Sequence, residues 1–258
     1  MPSLKAGNLD TVQLAIIAAL EREIQPLVRN WQRTQVVHDG RSFTCYRHEE
    51  LLVLAGGIGC EAAKRAARAM VARHRPRMLV SAGFAGALIL SLKVGSVIVP
   101  NVIVDGATGA EYRCNLGEGV LGGGILVSAG QVAGSASKTE LVKRFHALAV
   151  DMEAAGVAEV AREEQIGFRC VKAISDESDF PMPPVNRFID GQGTFETARF
   201  ARWLALRPAI WPSAIALARN SNRAAQALCD WLREKIASGL QPATVIKLAA
   251  PELLEVKN

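Results

Sequence analysis

The chain reads as an α/β protein, with a mixed, largely parallel sheet flanked by helices and a helical tail behind it. Three observations predict this. Short runs rich in Val, Ile and Leu alternate with longer segments of helical period, the pattern of strands buried on both faces and joined by crossover helices. With 258 residues and 50% hydrophobic content, the chain is long enough to bury one sizeable core. After a proline-rich stretch near residue 180 the pattern turns wholly helical.

Taken in order, strands are predicted at 14–19, 42–47, 51–55, 78–82, 96–104, 124–128, 147–152 and 168–174. The clearest helices are 60–75, with closely spaced alanines for tight packing, and 153–165, and a shorter one covers 138–146. The LGEGVLGGG stretch at 116–124 reads as a flexible connection between strands. FPMPPVNR at 180–187 reads as a linker that ends the α/β unit. Beyond it, 194–206, 212–220 and 223–238 are helical in pattern, with Pro208 and Pro212 marking breaks. The division expected is an α/β unit over 11–180, and a linker and helical extension over 181–258 packed on it.

Composition excludes several classes. The net charge is +5, but the 30 basic and 25 acidic residues are interspersed and aromatics make up only 5%. A single-strand nucleic-acid binder needs stacking rings along a basic groove. Lys64, Arg65, Arg68 and Arg73 read instead as the solvated face of one helix. The cysteines (Cys45, Cys60, Cys114, Cys170, Cys229) are scattered, with no C-x-x-C pair and no histidines beside them, which fits reduced thiols in a cytoplasmic protein and no metal site. Residues 1–10 do not read as a secretory signal, and the most apolar stretch, 78–92, is too short for a bilayer span.

Three constellations carry chemistry. GIGCEA at 57–62 matches G-x-G-x-x-A between a strand and a helix. A dinucleotide site would also need an acid about 20 residues on, and PRMLVSA at 76–82 has none, so an oxidoreductase is disfavoured. What survives is a loop of Gly57 and Gly59 whose N–H groups face an anion or a ribose, or which merely permits close packing. At 14–27 an apolar strand runs directly into Glu21 and Glu23. Helix-dipole placement is the plainer account of either acid alone, and a base toward water at a strand's C-terminal end is the alternative. The strongest signal is VDMEAAG at 150–156 with AISDESD at 173–179. Each leaves an apolar strand with acids at its C-terminal edge: Asp151, Glu153, Asp176, Glu177 and Asp179. Burying several charges costs several kcal/mol unless they are paired or used, so function is the better account of the cluster.

At these residues the sequence resembles the nucleoside phosphorylase family that includes 5′-methylthioadenosine/S-adenosylhomocysteine nucleosidase. The matching blocks, in family order, are AIIAALEREI at 15–24, GGIG at 56–59, SAGFAGAL at 81–88, LKVGSVIVP at 92–100, VDMEAA at 150–155 and AISD at 173–176. The resemblance implies a three-layer α/β/α fold, cleavage of the N-ribosyl bond of a purine nucleoside, a homo-oligomer and no cofactor. It implies that Glu23 activates water, that Glu153 holds ribose hydroxyls over Met152, and that Asp176 assists the departing purine beside Ser175. Gly83, Phe84 and Val132 fall at substrate-binding positions. Such a cleavage puts positive charge on the sugar and negative charge on the base, which a carboxylate and a shielded, protonated acid would respectively offset.

The departures matter too. Phe84 stands where many relatives have a serine touching phosphate or ribose, 100–128 is shorter than in the nucleosidases, and AGQVAGS at 129–135 lacks an aromatic to stack on purine. These imply a more open pocket, and they also fit a nucleoside-binding protein without turnover. The short middle, 138–152 and the tail after Pro184 look more like the hopanoid-associated branch, whose members release adenine from adenosylhopane. That branch implies inorganic phosphate as co-substrate, whereas Glu23 favours water, and the sequence leaves both open. Trp203, Trp211 and Trp231 with Arg202, Arg207, Arg219, Arg223 and Arg233 fit helices lying on the inner membrane surface and meeting a lipid-linked substrate. Helices capping the sheet or a subunit interface fit them as well.

Overall fold

A computed structural model describes residues 12–116 and 122–238. The centre of the sheet is β1 (Leu14–Ala18), β4 (Leu51–Ala55), β5 (Met78–Ala87) and β11 (Gly167–Asp176), all parallel. On one side β2 (Gln32–His38) and β3 (Arg41–His48) continue from β4 as an antiparallel hairpin. On the other, β10 (Ala149–Asp151), β9 (Ile125–Ser128) and β7 (Val102–Asp105) run parallel to one another, and β8 (Glu111–Arg113) closes that edge antiparallel. A two-residue strand, β6 (Val97–Ile98), pairs with β11.

Alternation along the strands assigns the two faces. In β1, Leu14, Ile16 and Ala18 pack on α1 (Glu21–Val28) and α6 (Trp211–Ala237), while Ala15 and Ile17 turn toward α2 (Cys60–His74) and α4 (Ala154–Glu163). The alanines of α2 do what their spacing predicted: Ala63, Ala66, Ala67 and Ala69 are buried in one cluster with Ala154, Ala155, Ala158 and Ala161 of α4. The approach is so close that a Cβ on Gly156 would collide with the Cys60 carbonyl. A third cluster, Val104, Val127 and Val150, is covered by Leu141, Val142 and Phe145 of α3 (Ser135–Phe145).

Several sequence expectations are corrected. The strand expected at 96–104 breaks into β6 and β7 around Pro100, whose ring offers no N–H to a ladder. β2 and β8, too polar on their exposed faces to show an apolar run, went unpredicted. The two helices expected at 212–220 and 223–238 are one continuous helix, α6, because Ser221 is buried within it rather than ending it. α6 supplies Ala224, Leu228, Cys229 and Leu232 to the same core as β1 and β5. The 180–187 linker contains a 3₁₀ turn, Val185–Phe188, with Phe188 buried among Phe200 and Trp203 of α5 (Thr197–Ala205). The basic face of α2 is not simply solvated: Lys64 bridges Glu61 and Glu159, and Arg68 meets Glu163. Residues 117–121 of the glycine-rich stretch, and residues 1–11, lie outside the described residues. The described cysteines are free thiols. Among the described residues no helix is long and apolar enough to cross a membrane.

Candidate active site

Three strand ends deliver carboxylates to one place, as open α/β sheets do at the C-terminal edge. β1 stops at Ala18 and turns through Ala19 and Leu20 into α1, so Glu23 enters in the first helical turn. It is buried, and its Oε2 accepts hydrogen bonds from the backbone N–H groups of Ala19 (3.0 Å) and Leu20 (3.3 Å). β5 leaves space for it: a Cβ on Gly83 would lie 2.8 Å from Glu23 Oε2. Behind α1, the Cys229 thiol of α6 donates to the Glu23 carbonyl at 3.4 Å, so the C-terminal helix braces the backbone that carries this acid.

β10 stops at Asp151, and Met152 and Glu153 follow before α4 begins. Glu153 Oε1 accepts from the Gly59 N–H at 2.9 Å, and Oε2 from the Met152 N–H at 3.3 Å. β11 ends at Asp176, just beyond a register shift against β5. Asp176 Oδ1 accepts from the Ser175 hydroxyl at 2.8 Å, and Oδ2 lies 2.6 Å from Lys138 Nζ. Lys138 Nζ also donates to the Glu177 carbonyl at 2.7 Å. A Cβ on Gly86 would sit 2.8 Å from Asp176 Oδ2 and 3.3 Å from Lys138 Nζ, so the second glycine of this part of β5 makes room for the second acid.

Glu23, Glu153, Asp176 and Lys138 line one cavity of about 150 Å³, walled by Phe84 and Met152. It shares Ala19, Leu20 and Arg22 with an outer cleft of about 580 Å³ beneath Arg41 and Phe195. On its other side it shares Ile58, Gln131 and Met152 with a cleft of about 410 Å³.

The two ends of the cavity differ electrically. Burial pushes the Glu23 carboxyl above the ordinary carboxylate range, against the opposing pull of Lys172 and the two backbone N–H groups. Burial likewise pushes Glu153 up to about 7, with Asp151 and Glu23 adding repulsion and Lys172 opposing. Lys172 is fully buried but bonds Asp151, at 2.8 Å, rather than either glutamate. Burial works against its charge, yet Asp151, Cys170 and Glu153 together hold the ammonium above the ordinary lysine range. Among the described residues neither Glu23 nor Glu153 is ion-paired, whereas Asp176 is paired directly with Lys138.

The structure thus brings Glu23, Met152, Glu153, Ser175, Asp176, Phe84 and Val132 around one cavity. Gly83 lies behind it, against Glu23. Gly57 and Gly59 do not form an anion cradle. The Gly57 N–H goes to the Ala19 carbonyl, the Ile58 N–H to Gly193, and the Gly59 N–H to Glu153, so the loop holds the protein's own carboxylate. The backbone N–H and carbonyl of Val132 are both taken by the Asn186 carboxamide, at 2.8 and 3.0 Å, leaving its side chain for the cavity. Asp151, counted in the sequence among acids without a structural reason, has one: it bonds the Ala154 N–H at the head of α4, the Ser128 hydroxyl, and Lys172. Glu177 meets Lys93 at the surface. Among the described residues no group of three or more His, Cys, Asp or Glu is placed to hold a metal.

Sequence reasoning missed Lys138, Lys172 and Asn186. A lysine inside the apolar strand 168–174 was a visible signal for Lys172. Lys138, one of two lysines on a polar helix, carried none.

The chain is similar to known proteins in both sequence and fold. The chain is 25% identical over 198 residues to a 5′-methylthioadenosine/S-adenosylhomocysteine nucleosidase of Lysinibacillus sphaericus, covering 64% of this chain and 86% of that protein. It is 27% identical over 199 residues to the Bacillus subtilis nucleosidase of the same name, with 64% and 86% covered. In fold it matches the futalosine hydrolase of Helicobacter pylori (TM-score 0.65, 20% identity, 88% of this chain and 98% of that one). It also matches the Neisseria meningitidis 5′-methylthioadenosine/S-adenosylhomocysteine nucleosidase (TM-score 0.66, 19% identity, 88% and 99%). The family model of the phosphorylase superfamily matches residues 13–121 and 115–197, and the chain belongs to that superfamily.

Proposed function

We propose that the protein hydrolyses the N-ribosyl bond of an adenine nucleoside. The observation that carries this reading is the pair of buried glutamates, Glu23 and Glu153, neither ion-paired among the described residues, in one cavity with Asp176. As the bond to the base breaks, positive charge gathers on the sugar. Glu153, fixed by two backbone N–H groups, binds the ribose hydroxyls over Met152 and offsets that charge once ionised. Glu23 takes both of its backbone bonds on Oε2, which leaves Oε1 for a water molecule, and its raised affinity for protons suits it to receive one. Asp176, held by Ser175, faces the base. Phe84 offers no hydroxyl to a phosphate, which supports water as the nucleophile.

The substrate's other end is proposed to be hydrophobic, with adenosylhopane as the case implied by the resemblance to the hopanoid-associated branch. Its support is the elbow between α5 and α6. Leu206, Trp211 and Ile215 are exposed there, and residues 197–229 carry five arginines and no acid. An apolar patch in a cationic surround fits the face of an anionic bilayer.

The test is base release. The protein is incubated with 5′-methylthioadenosine, adenosine and a lipid-linked adenine nucleoside, with and without inorganic phosphate, and free adenine is quantified. Phosphate-independent adenine release is expected, greatest with the lipid-linked substrate. Ribose 1-phosphate as the product would overturn hydrolysis, and no release from any nucleoside would overturn the enzymatic reading in favour of a binding protein. Sedimentation with anionic but not neutral vesicles, lost in L206S/W211A/I215S, is the result expected of the elbow.

A further inference from the structure

The proposed mechanism uses one end of the cavity fully and leaves a buried cation at the other unexplained. Lys138 is 3% exposed, stands on α3, and reaches across to the end of β11. An ammonium has three N–H donors. Asp176 and the Glu177 carbonyl take two of them, and Lys138 is part of the cavity wall. A third donor therefore stands beside a carboxylate, 2.6 Å away, in the wall of a cavity that Glu23 and Glu153 also line. A buried ion pair is weak evidence for stability, because desolvation of both charges offsets most of their attraction. The cost is better explained by use. Gly86 supports this, since a Cβ there would lie only 2.8 Å from Asp176 Oδ2 and would crowd Lys138 Nζ at 3.3 Å.

We propose that Lys138 is the proton donor to the departing base, and that Lys138 and Asp176 together form a donor–acceptor pair that selects a 6-aminopurine. This rests on the N-ribosyl cleavage proposed above. Adenine presents a ring-nitrogen acceptor beside an amino donor on one edge, whereas guanine presents two acceptors there, as does any 6-oxopurine. A lysine next to a carboxylate complements the first and sets a carboxylate against a carbonyl oxygen in the second. In the reaction, the bond from the sugar C1′ to the base nitrogen breaks and its electron pair passes into the purine ring. A proton moves from Lys138 Nζ to the ring nitrogen it faces. Water forms the new bond to C1′ and gives a proton to Glu23. After the neutral base leaves, the Lys138 amine regains a proton from solvent and Glu23 releases one, so the sum is nucleoside plus water to free sugar plus base. Asp176 accepts from the amino group and orients the ammonium.

Three substrates separate these roles: an adenine nucleoside, its 6-oxo analogue, and p-nitrophenyl β-D-ribofuranoside, whose leaving group departs without a proton. Wild-type protein is expected to prefer the adenine nucleoside to the 6-oxo one. K138M should lose about 10²- to 10⁴-fold in kcat on the adenine nucleoside and keep its rate on the nitrophenyl riboside, which also reports that the variant is folded. Should K138M leave Asp176 too poorly compensated to fold, K138M/D176N removes both charges and is expected to show the same split. D176N alone should narrow the preference for adenine, because an amide can turn a donor toward a 6-oxo group. Equal losses on both leaving groups, no loss on the nucleoside, or a wild-type preference for the 6-oxopurine would each overturn the proposal. Wild-type protein that releases no base from either nucleoside would instead remove the cleavage reading on which it stands.

Discussion

The two ends of the cavity treat a buried carboxylate in opposite ways. At the Glu23 and Glu153 end a buried lysine is present but committed elsewhere: Lys172 bonds Asp151, and Asp151 in turn secures the start of α4. The glutamates feel Lys172 only at a distance, and burial dominates both. At the Asp176 end the lysine is in contact, and the two form a buried salt bridge. The difference teaches that placing a lysine near an acid is not one device. In the proposed reaction a second-hand cation leaves acids free to exchange protons and meet developing positive charge, whereas a direct one builds a donor–acceptor pair suited to a base.

The largest expected effect breaks the first end. Glu23→Gln keeps the shape and removes the proposed proton acceptor, and should reduce kcat by about 10²- to 10⁴-fold with little change in melting temperature. Lys172→Met comes next, because it leaves Asp151 buried and unpaired. Denaturant titration should show a loss of about 3–5 kcal/mol. An unchanged midpoint would mean that Asp151 is satisfied by Ser128 and the α4 backbone alone.

A smaller effect sharpens the contrast at β5. Gly83→Ala crowds Glu23 and Gly86→Ala crowds the Asp176–Lys138 pair, each at a stability cost of about 1–3 kcal/mol. The first should raise the loss of turnover on every substrate alike, and the second should fall mainly on nucleosides that need base protonation.

The remaining effect, a pH dependence, needs no substitution. Glu153 titrates near 7 in the folded protein against 4.5 when unperturbed, so between those values the folded state holds a proton that the unfolded state has lost. Its contribution to stability is therefore fully present below about pH 4.5 and is lost as pH rises through about 7. Melting temperature should fall over that window, and Glu153→Gln should flatten the fall. Turnover should move the other way, rising with an apparent midpoint near 7 as the carboxylate forms. Stability and activity oppose each other at this one residue.

Much of the fold was legible in the sequence because its core strands are buried on both faces and so read as continuous apolar runs, as 14–18 and 51–55 do. The edge strands β2 and β8 were not, since half their residues face water. The acids at strand ends were legible as charges where apolar runs stop. Their partners were not: Lys138 is 38 residues from Asp176, and which lysine meets which acid is decided by tertiary packing. The glycine loop misled for the same reason. Its pattern announced free N–H groups, and the fold spends one of them on Glu153, 94 residues away.

The most direct test of the account is the fate of water. With an adenine nucleoside in ¹⁸O-labelled water and no phosphate, the wild-type protein should release free adenine and a sugar carrying the label on C1′, and Glu23→Gln should slow both together. Adenine release that requires phosphate, or a sugar without the label, would contradict it.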